Sequence, residues 1–410
     1  MPTGHTPKPL PRPSEEFGND LQEWLVTRTG KRIIKLFFGV VLGLVMGEAA
    51  LRVFPRSLMP KEFRILDRVY TARSAWEDMM MGDPYLGYKL RPNLDILFPS
   101  EGRKIPYRTT SYGLGDIGFR DIGTHPPFDA VAVGDSFTLC DDVPAAACWG
   151  RRLTDAEGLS VATLAVNGYS TLAEARILER YAPPLKPRLV LLGVYPNDFK
   201  DNVNFDRWTR SGTDNFWIWL GHQHGRGKFG RWLADHSMIY RIVDGVWRAR
   251  GRQIHKYKQG NLDFVFRLDH WWLQLVTDVE HDPGWRLMQK ALLDMRATAT
   301  DMGADFVVLI FPTKEQIYWG LVRQFAPGKE DLDVDHPTDV LREFCAANAI
   351  KYCEFTSPLR EEAQRGRQLY HRISSHWNDE GNAVGAQVIA RCLRSYGLLK
   401  GPAETAAVRE

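Results

Sequence analysis

The chain is poor in the features that would assign it at a glance. It has five cysteines in 410 residues. None forms a CxxC pair, so zinc-ribbon and thioredoxin-like readings lack their signature. Cys140/Cys148 and Cys345/Cys353 are close enough in sequence to pair, but an odd count adds no support for an oxidising compartment. Neither sign of charge prevails: Lys+Arg 53 against Asp+Glu 50 leaves +3. Nothing in that balance calls for a nucleic acid partner. Long apolar runs are scarce, which excludes a multi-pass membrane protein. His222, His224, His270 and His281 lack metal-ligand spacing, so no metal is expected. Hydrophobic residues at 44% and charged residues at 25% are ordinary for a globular chain and exclude disorder throughout.

What is present begins with a Pro-, Gly- and Ser-containing stretch over 1–32, read as a disordered tail. Residues 33–54 follow as an apolar segment. Twelve uncharged, mostly apolar residues lie between Lys35 and Glu48. That is short of the roughly 20 needed to cross a bilayer, unless Lys35 snorkels and Glu48 sits near the far end. We read it as a transmembrane anchor; a signal peptide and a buried soluble helix are the alternatives. Arg28, Lys31, Arg32 and Lys35 precede it; Arg52, Arg56, Lys61 and Arg64 follow. The basic cluster on the short N-terminal side favours N-inside, which places the large C-terminal part outside the cytoplasm.

Residues 55–124 read as a loop-rich lead-in with short aromatic strand-like pieces, packed on the main domain. From 125 to 400 the pattern alternates. Apolar strands are predicted at Ala130–Val133, Val161–Val166, Leu189–Val194, Phe306–Phe311 and Ile350–Phe355. Helices lie between them, the clearest over 284–303 with Asp282 as N-cap and Gly303 as stop. A last helix is expected over Asp379–Tyr396. The fold class is therefore α/β: a flavodoxin-like, doubly wound, mainly parallel sheet in three layers. A Trp-rich insertion over 203–282 breaks the rhythm and is expected to be helical. Residues 401–410 form a C-terminal tail.

Three predicted strands end in polar turns: Gly134-Asp135-Ser136, Asn167-Gly168 and Pro196-Asn197-Asp198. In such sheets ligands bind beyond the carboxyl ends of the strands, so these turns should converge. Ser136 would begin a helix, with its hydroxyl exposed and its N–H free to bind an oxyanion. Asn197 offers an amide and Gly168 an unobstructed N–H. Asp198 reads as a structural turn residue, and Asp379 with Glu380 as first-turn helix charge. The histidine best placed to serve as a base is His376, in a loop before the last helix.

Four blocks, AVAVGDSFT (130–138), VNGYST (166–171), VYPNDFKDN (194–202) and SSHWNDEGN (374–382), resemble in order those of the SGNH/GDSL hydrolase superfamily of serine esterases and acyltransferases. GYKLRPN, YGLGDIGFRD and FPTKEQIYW resemble pieces of its membrane-anchored bacterial members. The resemblance implies Ser136 as nucleophile, His376 as general base, and Ser136, Gly168 and Asn197 as oxyanion-hole donors. It implies no cofactor. One departure stands out. The family usually has an Asp two or three residues before the His, where this chain has Ser374 and Ile373. A backbone carbonyl, Ser374 or a carboxylate from elsewhere must then orient His376; Asp141 and Asp142 are substitutes that the sequence does not place. The expected activity is hydrolysis of an acyl ester, with acetyl favoured, through an acyl-Ser136 intermediate. The substrate is an acyl ester, with an acetylated glycan as one form, and the membrane is engaged through the N-terminal helix. The alternatives are an O-acyltransferase acting on a cell-envelope or extracellular polysaccharide with the same site, and a non-catalytic envelope scaffold with an incomplete triad.

Overall fold

A computed structural model describes residues 27–53, 76, 78–101, 103–216, 219–220, 228–249, 254–268, 270–329 and 331–399. The expected tails, apart from the start of the apolar helix, and His222 and His224 lie outside these residues. The chain divides into two compact units. Among the described residues, one comprises 27–53 with 228–247, and the other the remainder.

The larger unit is built on five strands: β1 (Ala130–Gly134), β2 (Val161–Ala165), β3 (Leu189–Val194), β4 (Asp305–Ile310) and β5 (Lys351–Glu354). Their order across the sheet is β5-β4-β3-β1-β2, with every pair parallel. This is the flavodoxin-like doubly wound arrangement. Successive side chains on a strand point to opposite faces, so each strand feeds two cores. Val131, Val133, Val190, Leu192 and Val308 join one cluster. Ala130, Ala132, Leu189, Leu191 and Val307 join the other. Near-continuous Val, Leu and Ala is what a sheet covered on both faces requires.

The helix Pro283–Asp301 covers the first face. Asp282 caps it by accepting the Gly284 N–H, and Gly303 follows in the left-handed region at φ 71°. The last helix, Asp379–Ser395, covers the second face, and Asn378 caps it through the Gly381 N–H.

Cysteine pairing differs in part from the sequence reading. Cys140–Cys148 is a disulfide, but Cys353 pairs with Cys392 and leaves Cys345 free and buried. The reason is the strand alternation. Cys353 faces the core shared with the last helix, whereas Cys345 belongs to the opposite face.

The insertion is not wholly helical. Helices Lys228–His236, Met238–Ala249 and His270–Thr277 flank an antiparallel hairpin, Ile254–Gln259 with Leu262–Arg267. The hairpin reads IHKYKQ-GN-LDFVFR. Its alternating strands meet at a Gly-Asn turn, a signal the Trp content obscured. In the lead-in, Met80–Asp83 pairs with Gly87–Leu90, and Asp95–Ser100, Arg103–Thr110 and Phe119–Arg120 form a three-stranded sheet.

The smaller unit contains the apolar helix, Arg28–Val53. It starts five residues before Ile33 because Thr27 caps it, accepting the Gly30 N–H at 2.9 Å. Leu36, Phe37, Phe38, Leu42 and Met46 are all more than half exposed along it.

Candidate active site

The carboxyl ends of β1 and β3 meet where the strand order reverses, the place such sheets reserve for ligands. Ser136 begins the short helix Ser136–Leu139 directly after β1. Asp135 caps that helix by accepting the Phe137 N–H at 2.9 Å. Gly134 is required here: a Cβ on it would sit 2.1 Å from Thr138 Oγ1, so the turn closes only without a side chain. The helix stops at Cys140, which is left-handed at φ 58° and disulfide-bonded to Cys148. The chain then turns through Asp141 and Asp142.

Arg120 from the lead-in fixes this turn. Its guanidinium is fully buried and donates to the carbonyls of Leu139, Cys140 and Val143. It also lies over the Tyr107 ring at 4.7 Å.

His376 reaches the turn from the opposite side of the sequence. Its Nε2 is 2.7 Å from Ser136 Oγ and its Nδ1 is 2.7 Å from Asp142 Oδ2. Ser374 Oγ donates to the same Asp142 oxygen at 2.6 Å, and Ser100 Oγ donates to Asp142 Oδ1 at 2.9 Å. Asp142 thus occupies the orienting position that the His loop leaves empty, and Ser374 bridges to it. Asp141 points elsewhere and accepts from the Asn167 side chain.

The electrostatics separate the two neighbouring carboxylates. Burial works against ionising Asp142, yet the His376 hydrogen bond and charge, with Ser374, hold it below the usual range. Burial and the nearby Asp142 charge push Asp141 up to about 7. Burial works against charge on His376 too, but the Asp142 hydrogen bond and charge outweigh it, raising His376 to about 9.

The His376 loop is held on both edges. Glu101 accepts the backbone N–H of Arg372 at 3.1 Å, of Ile373 at 2.6 Å, and of Ser374. On the other edge, the buried Lys314 ammonium lies 3.0 Å from the Ser374 carbonyl and 3.4 Å from those of His371, Arg372 and Ile373. Burial lowers Lys314 to about 8. Trp377 packs beneath the loop against Phe311, their ring centroids 5.0 Å apart, and Phe137 lies edge-on to His376 at 5.2 Å.

Ser136, Asn197 and His376 line one cavity of about 240 Å³, with Tyr195, Arg267, Trp272 and Lys314 in its wall. Asn197 opens the helix Asn197–Thr209, and its amide donates to Asp201 at 2.9 Å. Asp198 ties the turn by accepting the Tyr195 N–H, as its structural reading expects. Gly168 sits half-buried past the end of β2 at φ 72° and is not among the residues lining this cavity. The described residues contain no cluster fit to hold a metal ion.

Sequence reasoning left Asp142 as one of several substitutes and missed Ser100, Glu101, Arg120 and Lys314. Lys314 lies in the FPTKEQIYW block and Arg120 in the YGLGDIGFRD block, both singled out for resemblance alone, and Ser100 and Glu101 fall between the two lead-in pieces, with no chemical signal of their own.

The family described as "SGNH hydrolase-like domain, acetyltransferase AlgX" matches residues 266–410, a span holding His376 but not Ser136. The protein named "Probable alginate O-acetylase AlgJ" from Pseudomonas putida is 26% identical over 213 residues, covering 48% of this chain and 52% of that protein. Its namesake from Pseudomonas fluorescens is 24% identical over 187 residues, covering 42% of this chain and 45% of that protein. The chain thus spans about half the length of these curated relatives. Among solved structures, the acetyl xylan esterase AlAXEase aligns with 11% identity and a TM-score of 0.37, covering 64% of this chain and 98% of its own. TesA aligns with 13% identity and a TM-score of 0.34, covering 65% and 98%.

Proposed function

We propose that this chain is a member of the SGNH/GDSL hydrolase superfamily, as the match over residues 266–410 and the relatives support, and that it cleaves an O-acyl ester, with acetyl as the acyl group, through an acyl-Ser136 intermediate. The observation that carries the reading is the relay from Asp142 through His376 to Ser136, with 2.7 Å at each step. His376 Nε2 takes the Ser136 proton as Oγ attacks the ester carbonyl. The Ser136 N–H and the Asn197 amide, both in the cavity lining, offer hydrogen bonds to the oxyanion that forms, while Gly168, outside that lining, keeps only the donor role the resemblance implies. The intermediate collapses, and the departing alkoxide receives the proton held on His376. Water, deprotonated by the same nitrogen, then releases the acid and regenerates Ser136. Asp142 holds the imidazole tautomer and stabilises the imidazolium in both halves.

A second reading, transfer of the acetyl group to a polysaccharide hydroxyl, is favoured by the acetyltransferase description of the matching family and by the O-acetylase names of the relatives. The chemistry differs only in what attacks the acyl-enzyme. A small cavity with polar groups in its wall, Arg267 and Lys314 among them, suits a short acyl group on a hydrophilic carrier better than a long lipid chain. The scaffold reading rests on the absence of an acid before His376; the Asp142 carboxylate 2.7 Å from His376 supports the enzyme reading over it.

For location, we read Arg28–Val53 as a single membrane-spanning anchor and place the enzyme domain outside the cytoplasm. Two disulfides support this side, since they persist in oxidising compartments. The test is labelling of the full chain, in detergent, by a fluorophosphonate. Labelling that disappears in Ser136→Ala and His376→Ala supports the acyl-serine reading; equal labelling in either variant refutes it. Incubation of the labelling-competent protein with an acetyl donor, with and without polysaccharide, separates free acetate from acetylated glycan.

A further inference from the structure

The smaller unit carries a second apolar surface besides its long helix. The helices Lys228–His236 and Met238–Ala249 are strongly amphipathic, and they expose large apolar side chains. Phe229 is 71% exposed, Trp232 54%, Val243 60% and Trp247 70%. Phe229 stacks on Trp232, and Trp232 on His236, so three rings form one exposed row. In water such a row has no reason to stay uncovered.

The pair is fixed to the C-terminal end of the apolar helix. The Glu48 carboxylate accepts the backbone N–H of Met238 at 2.9 Å and of Ile239 at 3.1 Å, and the Ser237 hydroxyl at 3.0 Å. It therefore caps the second helix from another element. Arg52 holds Glu48 at 2.9 Å and also donates to the His236 carbonyl. Ile239 packs over Gly47, where a Cβ would stand 3.4 Å from its Cδ1. This explains why a charge interrupts the apolar run: Glu48 is the hinge pin between the run and the helix pair.

We propose that the helices Lys228–His236 and Met238–Ala249 lie in the surface of the lipid bilayer, in the leaflet where the helix Arg28–Val53 ends, with Phe229, Trp232 and Val243 inserted at the headgroup–acyl boundary. The proposal rests on the reading of Arg28–Val53 as membrane-spanning. Two observations select lipid over a protein partner. The exposed row is joined through Glu48 and Arg52 to a helix whose own exposed apolar side chains need the same cover. The sequence over 228–250 also carries Lys228, Arg231, Arg241, Arg248 and Arg250 against only Asp235 and Asp244, a balance that suits anionic headgroups. Aromatic rings with polar edges prefer that depth, and an interfacial helix sinks its apolar face about 5–10 Å into the boundary.

The test uses the full chain reconstituted into vesicles of phosphatidylethanolamine and phosphatidylglycerol. Cys345→Ser removes the one free thiol, and Phe229→Cys, Trp232→Cys or Val243→Cys carries an NBD fluorophore. Flotation after alkaline carbonate washing reports the anchor separately. The expected result is that the chain floats, that a nitroxide near the lipid headgroup quenches all three probes more than one at mid-chain, and that iodide does not reach them. A chain that floats with probes open to iodide overturns the proposal and leaves the anchor standing. Probes shielded from both quenchers also overturn it, because they would be packed on protein. A chain that does not float removes the anchor and the proposal together.

Discussion

Asp142 and His376 are 234 residues apart, yet Oδ2 of the one lies 2.7 Å from Nδ1 of the other. In the resembled family the orienting acid usually comes two or three residues before the histidine. Here that place holds Ser374, which donates to Asp142 at 2.6 Å. The carboxylate that meets the imidazole comes instead from the turn after the Ser136 helix. Asp142→Asn should lower the acylation rate by up to about 10⁴, because an amide can favour the wrong imidazole tautomer. Ser374→Ala should cost about tenfold or less, as it removes one neutral donor to a carboxylate that keeps others. Returning the acid to the His loop, as Asp142→Asn with Ser374→Asp, should recover part of the loss. Fluorophosphonate labelling rates measure all three. An Asp142→Asn variant as fast as the parent would remove Asp142 from the mechanism.

The same contact sets a pH dependence. Burial would lower the His376 pKa, but the Asp142 hydrogen bond and charge raise it to about 9. Only the neutral imidazole can take the Ser136 proton. Acylation should therefore rise with pH from neutrality, pass its half-maximum near 9 and level off above it. Asp142→Asn removes the largest of the influences that raise the value, leaving Asp141 and Asp135, so its rising limb should move to lower pH while its plateau falls. Single-turnover acylation followed across pH 6–10 checks both. A parent profile flat between pH 6.5 and 9 would contradict the raised His376.

Much of this was legible in the sequence because it depends on local pattern. β1 through β4 appear as short runs of Val, Leu and Ala. Ser136 and His376 lie in blocks whose turns must follow strands or precede a helix. Asp142 was visible only as one option, since nothing local says which of two adjacent carboxylates faces a loop that arrives 234 residues later. Glu101 and Lys314 were invisible for a different reason. They bind backbone groups, which carry no signature in the residues they serve. Cys353–Cys392 was missed because its pairing follows from which sheet face Cys353 occupies, not from sequence distance.

Glu101 and Lys314 act on the histidine through its loop. One draws in the loop's amides and the other its carbonyls, which fixes the path from His371 to Ser374. A Glu101→Gln side chain presents an amide donor where acceptors are needed. His376 should then lose its alignment with Ser136, and misplacement of about 1 Å costs on the order of 10²-fold. The expected signature is a fall in kcat for a soluble ester with KM little changed, and partial retention in Glu101→Asp. A change confined to KM would assign Glu101 to substrate binding instead.

The two disulfides should separate by function. Cys353–Cys392 joins β5 to the last helix across 39 residues, and Cys140–Cys148 closes a loop of 8 around the turn that carries Asp142. The chain-entropy argument gives about 4 kcal/mol for the longer loop and about 2.5 kcal/mol for the shorter. Paired serine substitution of Cys353 and Cys392 should therefore lower the denaturant midpoint more. Paired serine substitution of Cys140 and Cys148 should lower acylation more, because it frees the turn that aims Asp142 at His376. Arg120 still grips the Leu139, Cys140 and Val143 carbonyls in that variant, so the turn should loosen without unfolding. Denaturant titration and labelling rates on the two variants side by side make the comparison. If the Cys140/Cys148 variant kept full activity, Arg120 alone would suffice to hold Asp142 in place.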